Sequence, residues 1–294
     1  MVTNTTNNSE ITHVSDTALW VAVYRAMETK RRDALFKDPY AEILAGDRGK
    51  QIVDHLKDGK SSAWSMIVRT VVLDEFIDRV IREDGVDTVV NLATGLDARP
   101  YRMDLPSSLK WIEVDFPDMI SYKEEKLAQA RPRSSLERVK LDLSAPKERR
   151  ELFKRINGSA NRVLVITEGL LVYLKPEDVA SLAADLHEQP NFRWWIADIL
   201  TPTLLDWLKK RSFKQFTEGN VQMHFAPESG ADFFKPYGWN VDEQRSVTKE
   251  ARRLKREMPR AGFYRFMAHF APRKQKEFFS KLDSYFVLLK RDGE

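Results

Sequence analysis

Between Asp87 and Ala197 five short apolar runs alternate with stretches of helical character, and this alternation restricts the fold more than any other feature of the chain. The runs are Asp87 to Leu92, Lys110 to Val114, Glu137 to Leu141, Arg162 to Thr167 and Phe192 to Ala197. Strands separated by helices predict a parallel sheet covered on both faces, with right-handed crossovers. Pro117 and Pro176 suit the first turns of two of the helices, Asp118 to Ala130 and Glu177 to His187, because a first-turn N–H has no helical partner to lose. After Ala197 the alternation loosens. Residues 202–235 read as a helical or irregular insert rich in Phe, and two further strands are expected at about Asn240 to Val247 and Leu282 to Leu289. The stretch between those two strands reads as helices with a break at Pro259 to Gly262.

About 85 residues precede the first strand. Ala18, Leu19, Ala22, Val23, Ala26 and Met27 recur at three- and four-residue steps behind Asp16, a candidate cap, and so predict an amphipathic helix. A second helix, from about Ser61 to Arg82, carries Trp64, Ile67, Val68, Phe76 and Val80 on one broad face. The chain has neither an internal repeat nor a linker. A single domain over 13–294 is therefore expected, with residues 13–85 as a helical cap and 200–238 as a lid insert. The polar opening, residues 1–12, is expected to be disordered because it can bury little.

Composition narrows the function. With 42% hydrophobic and 31% charged residues the chain is globular. The absence of cysteine excludes a disulfide framework, a thiolate nucleophile, cysteine-bound zinc and iron–sulfur chemistry. A net charge of +4 is too small for this length to announce a nucleic-acid partner. The basic run Lys249 to Arg256 is interleaved with Glu250 and followed by Glu257, as on a solvated helix face. No apolar run approaches the roughly 20 residues that span a bilayer, and the opening has neither a basic nor an apolar targeting region. A cytoplasmic protein with no membrane partner is expected.

In open parallel sheets ligands bind beyond the carboxyl ends of the strands, where the strand order reverses. The loop after the first strand runs Asn91-Leu92-Ala93-Thr94-Gly95-Leu96-Asp97-Ala98-Arg99. Gly95 permits close approach of backbone to ligand. Asp115 ends the second strand 20 positions further on, where a carboxylate can accept both hydroxyls of a ribose. Glu113 shares its pleat phase and is the backup acid. Asp142, after the third strand, is placed to accept from an adenine amine, and Glu168, beside Gly169, ends the fourth. Together these strand ends point to a nucleoside-containing cofactor.

The stretches RAMETKRRDALFKDPYAE, SMIVRTVVLDEFI, VVNLATGLDARPYRM, WIEVDFPDMISYKEEKL and VLVITEGLLVYLKPEDV cover most of residues 20 to 180. They resemble the leucine carboxyl methyltransferase family, including its bacterial branch of S-adenosyl-L-methionine-dependent enzymes. The resemblance implies a class I methyltransferase fold: a Rossmann-like α/β sheet of seven strands with the last antiparallel, plus N-terminal helices and a helical lid. It implies S-adenosylmethionine as cofactor. Arg69 would hold the carboxylate of the cofactor's methionine part, with Ala93 and Gly95 facing that part. Asp115 and the adjacent Phe116 would bind the nucleoside, Asp142 and Leu143 would frame adenine, and Glu168 would contact the methionyl end or the substrate side. The family usually shows glycine where Ala93 stands, and alanine fits if φ there is negative.

The resemblance implies a methyltransferase, and the Phe-rich insert, read as a lid over an apolar pocket, adds the expectation of an O-methyltransferase acting on a carboxyl or hydroxyl group of a small, partly apolar metabolite. A carboxylate acceptor needs no base; a hydroxyl usually does. The candidate catalytic residues are Glu168, Tyr173 and His224, with His269 and Tyr264 as further possible bases. Two rivals stand beside this reading. An NAD(P)-dependent oxidoreductase is suggested by the degraded fingerprint Ala93-x-Gly95-x-x-Ala98 followed by an acid. A non-catalytic cofactor-binding protein is suggested by Ala93.

Overall fold

A computed structural model describes residues 14–55, 62–211, 222–270 and 272–293; the expected tail, 1–12, lies outside the described residues. Three helices come first: α1 (Val14–Thr29), α2 (Ala41–His55) and α3 (Ala63–Glu83). The alternating region follows as β1 (Thr88–Leu92), α4 (Arg99–Arg102), β2 (Lys110–Asp115), α5 (Pro117–Lys126), β3 (Ser135–Lys140), α6 (Pro146–Asn157), β4 (Val163–Thr167), α7 (Pro176–His187) and β5 (Phe192–Leu200). The chain continues with α8 (Pro202–Arg211), β6 (Trp239–Ser246), α9 (Val247–Arg253), α10 (Ala261–Phe270), α11 (Arg273–Ser280) and β7 (Ser284–Arg291).

The described strands form one seven-stranded sheet in the order β3-β2-β1-β4-β5-β7-β6. The first five are parallel, with Val90 opposite Ile112 on one side and Val165 on the other, and β7 runs antiparallel to both β5 and β6. This is the expected fold class. Every residue of β1 and β4 is buried, as strands covered on both faces require. Successive residues feed opposite layers. Val90, Ile112 and Val165 pack beneath Phe153 of α6 and Leu186 of α7, while Val89, Trp111 and Leu164 pack beneath Phe76 and Val80 of α3. A third cluster joins Leu19 and Tyr24 of α1, Leu44 of α2 and Ile67 of α3 to Leu96 and Ala98 of the loop after β1. The N-terminal helices therefore sit on that loop.

Several boundaries differ from expectation. Asp16 is not a cap: α1 begins at Val14, and Asp16 pairs with Arg48 of α2 at 2.8 Å. The helix after β2 ends at Lys126 rather than Ala130, and β5 extends past Ala197 to Leu200. The break before α10 lies where Lys255 and Arg260 take positive φ. The insert over 200–238 divides. Helix α8 stays near the carboxyl ends of the strands, whereas Phe225 and Phe234 join the core on the α6 and α7 face, where Phe234 meets Trp195 edge to face at 4.9 Å. Those rings found a better partner in the sheet than in a lid. Phe213 and Phe216 lie outside the described residues.

Glu113 is not a backup ligand either. It is fully buried on β2, paired with Lys123 of α5 at 2.6 Å and with Arg138 of β3 at 2.9 Å. Lys123 is itself fully buried and also reaches Thr94 of the β1 loop at 3.4 Å. Removing one member of such a group strands the other as an uncompensated buried charge. Glu113→Ala is expected to cost about 3 to 5 kcal/mol in urea unfolding, and Glu113→Gln, which keeps acceptor and volume, less.

Candidate active site

The carboxyl end of β1 turns through Ala93, Thr94 and Gly95 directly against the end of β2. Thr94 donates its N–H to the Val114 carbonyl at 3.2 Å. Gly95 N–H and Phe116 N–H donate to the two oxygens of Asp115, each at 2.7 Å. Burial pushes the Asp115 carboxyl above its ordinary range, outweighing these donors. Gly95 has φ +50, and a Cβ there would stand 3.2 Å from Ala18 of α1. Ala93 has φ +51, which corrects the expectation of a negative value. Alanine is held in the left-handed region because the neighbouring N–H groups are fixed on β2; each such residue costs roughly 1–2 kcal/mol.

Next along the chain, Arg99 is buried among carboxylates. It bonds to Asp74 of α3 at 2.6 Å, to Asp97 at 2.7 Å and to Glu168 at the end of β4 at 2.7 Å. Asp97 is also held by Asn91 of β1 at 2.8 Å. Arg102 adds two bonds to Asp74, at 2.7 and 2.8 Å. Burial works to raise the Glu168 and Asp97 carboxyls, yet Arg99, with Arg69 beside Glu168 and Lys123 near Asp97, holds both below their ordinary range.

Arg69 of α3 completes the group. Its guanidinium lies 2.9 Å from Glu168 and bonds to Asp198 of β5 at 3.3 Å. The approach of Arg69 Nε to Glu168 lacks hydrogen-bond geometry, so this buried N–H has no acceptor among the described residues. Gly169 N–H donates to Asp198 at 2.7 Å. Gly169 has φ +65, and a Cβ would stand 3.0 Å from the Arg69 guanidinium. Burial raises both the Asp198 carboxyl and the Tyr173 phenol, in each case against the pull of Arg69.

These groups open into one cavity of about 2330 Å³. Arg69, Ala93, Gly95, Asp115, Phe116, Glu168 and Tyr173 all line it, as do Tyr24 and Arg25 of α1. Its outer walls are largely apolar and come from α8 (Leu204, Trp207, Leu208, with Lys210) and from α10 and α11 (Tyr264, Met267, Phe270, Phe279, with Arg265 and Gln275). Three expected site residues lie elsewhere. Asp142 is exposed and accepts from Ser144 N–H at 2.9 Å, serving its own turn. Leu143 packs against the α6 and α7 core layer. His224 is exposed, with its backbone N–H on the Val172 carbonyl at 2.7 Å, and does not line the cavity. The side chain of His269 lies outside the described residues. Sequence reasoning missed Arg99 and Asp198, and with them the wall formed by α10 and α11. The available signal was a charged residue beside each strand-end loop.

Residues 18–187 match the sequence model of leucine carboxyl methyltransferases. The chain belongs to the leucine carboxyl methyltransferase family. A relative from Mycolicibacterium smegmatis is 30% identical over 264 residues, covering 80% of this chain and 86% of its own. One from Frankia alni is 33% identical, covering 62% of this chain and 66% of its own length; the match with a Streptomyces coelicolor relative, 34% identical, spans 64% of that protein. All three carry names of S-adenosyl-L-methionine-dependent methyltransferases. The chain thus spans about two thirds of the length of the latter two relatives. Among solved structures, one described as a methyltransferase from Thermobifida fusca superposes with a TM-score of 0.58 at 14% identity, covering 97% of this chain and 96% of its own. At that identity the likeness speaks for the fold alone.

S-adenosylmethionine is therefore the cofactor of this family's site, and the donor set fits it. The end of β2 offers an acid, the β1 and β4 loops offer glycines, and the buried Arg69 Nε–H, 2.9 Å from Glu168, has no hydrogen-bond acceptor among the described residues. Two substitutions test the architecture without ligand. Ala93→Gly is expected to raise the unfolding free energy by about 1 kcal/mol, the left-handed cost less glycine's added chain entropy. Glu168→Gln is expected to destabilise at neutral pH by about 3 kcal/mol, since it leaves Arg69 and Arg99 short of a buried partner. A lowered carboxyl pKa contributes stability above its unfolded value, about 4.3, and loses it as pH falls. The gap between Glu168→Gln and wild type in urea titrations should therefore narrow below about pH 4.

Proposed function

We propose that the protein is an S-adenosylmethionine-dependent O-methyltransferase whose acceptor is a small, partly apolar molecule, and that the group methylated is a carboxylate. One observation carries the reading: the polar strand ends and the largely apolar outer walls face the same cavity, so cofactor and acceptor would lie side by side. A cavity mostly apolar with a few convergent polar groups suits a small ligand.

When bound, S-adenosylmethionine supplies a methyl carbon made electrophilic by its sulfonium. Asp115 would hold the ribose hydroxyls, and Arg69 the carboxylate of the methionine part, where a planar fork can engage both oxygens. Asp97 and Glu168 keep their negative charge at neutral pH and supply a field suited to cationic groups. Burial keeps the Tyr173 phenol protonated, so it donates or packs rather than abstracting a proton. Glu168, shared between Arg69 and Arg99, is a poor proton acceptor. With His224 off the wall, none of Glu168, Tyr173 and His224 is poised to deprotonate a hydroxyl; Asp198 also lines the cavity but is committed to Arg69 and Gly169 N–H, and Tyr264 stands at the outer wall. A carboxylate acceptor removes that requirement, and catalysis then rests on alignment within the cavity.

Calorimetry tests the cofactor assignment. S-adenosylmethionine is expected to bind where NAD does not, and Asp115→Ala should weaken it by roughly 1 to 3 kcal/mol through loss of a charged acceptor. Arg69→Lys should weaken it as well, because a point charge cannot replace a forked contact. The acceptor class is read from the product. Incubation with methyl-labelled cofactor and a cell extract should yield label that mild alkali releases as methanol, as a methyl ester does; label that resists alkali would point to an ether and a hydroxyl acceptor.

A further inference from the structure

The hairpin of α10 and α11 carries a surface unlike the rest of the molecule. On α10, Phe263, Phe266, Met267 and Phe270 recur at three- and four-residue steps and so share a face. That face is open: Phe263 is 60% exposed, Phe266 63% and Phe270 69%. Helix α11 buries none of its residues and adds Phe278 and Phe279. Clustered apolar side chains left in water mark an interaction site.

Charge identifies the kind of partner. From Arg260 to Lys281 there are six basic residues and one acid, Glu277, so this stretch alone exceeds the chain's net charge of +4. Arg265 pairs with Glu257, and Arg273 with Glu277 at 2.8 Å. Among the described residues, no carboxylate pairs with Arg260, Lys274, Lys276 or Lys281.

We propose that this hairpin docks the protein on an anionic membrane surface, with the α10 aromatic face at the boundary between headgroups and acyl chains and the lysines against lipid phosphates. An amphipathic helical element with aromatics on one side and unpaired cations beside them has the two attractions such binding needs. A second copy of the chain is a poorer occupant, because a two-fold dimer through this face sets a basic hairpin against its own like charge. No described helix is long and apolar enough to cross a membrane, so the engagement is peripheral. The expectation of no membrane partner came from the lack of a spanning run, and lying on a bilayer makes a different demand on sequence from crossing it. Tyr264, Met267, Phe270 and Phe279 also line the cavity, so docking here sets the cavity mouth beside the bilayer.

The test is co-sedimentation of the full chain with vesicles of phosphatidylcholine alone and of phosphatidylcholine mixed equally with phosphatidylglycerol. At low salt the anionic vesicles should bind roughly tenfold more protein or better, and the excess should fall as salt rises. Lys274→Glu with Lys276→Glu, and separately Phe263→Glu with Phe266→Glu, should each lower that binding roughly tenfold with the unfolding midpoint unchanged. Should the Phe pair unfold the protein, the Lys pair decides alone, since α11 buries no residue. Equal binding to both vesicles, no binding to either, or full binding by the folded variants overturns the proposal. So does a concentration-dependent dimer that the Phe pair dissociates, because a second copy would then own the face.

Discussion

A single buried guanidinium holds the working end of this molecule together. Arg99 is 2% exposed and has carboxylates on three sides, contributed by α3, by its own loop and by the end of β4. A buried cation with one partner is a liability; with its fork satisfied by Asp74, Asp97 and Glu168 it becomes a joint. Arg69 extends the joint to β5 through Asp198. The helical cap, the β1 loop and two strand ends are thereby fixed to one another by charge, in the layer where packing alone would leave loops free to move. The same joint sets the chemistry. Asp97 and Glu168, committed to arginines, stay ionised and exert a field, and they do so at the expense of acting as bases.

The order of strands and helices was legible because the central strands β1 and β4 are short apolar runs cut off by turn residues, and burial on both faces leaves no polar alternation to confuse them. What the sequence hid was mostly charge. Arg99 could not be recognised as buried, since its partners Asp74 and Glu168 lie 25 and 69 positions away. Asp198 was lost because an acid ends an apolar run on paper, while in the fold Arg69 accommodates it and β5 continues. Ala93 misled in the opposite sense. Its own preference argued for a negative φ, and the hydrogen bonds of its neighbours overrode it.

The Phe-rich insert shows how composition and position part company. Rings at Phe225 and Phe234 that suggested a lid belong to the sheet's far layer, beside Trp195 and Trp239. The apolar cover over the strand ends comes instead from α8 and from α10 and α11, the last two in a stretch whose charges drew the eye away from its aromatics. Helical spacing places four apolar residues on one side of α10, and only the absence of a covering element among the described residues makes that side a surface.

The sheet order carries a consequence for how the chain reaches this state. Strand β6 bonds to no described strand except β7, and β7 inserts between β6 and β5. β6 must therefore wait, unpaired, until the chain has made α9, α10, α11 and then β7, and the cavity wall is hung between the two strands that wait for each other. Non-local pairing of this kind is slow to form and exposes strand edges in the interval. The parallel half pairs without β6 or β7, whereas the chamber's roof depends on the last pairing in the sequence. Damage to β7 would release the roof along with the edge of the sheet, leaving a nucleotide-sized crevice with nothing over it.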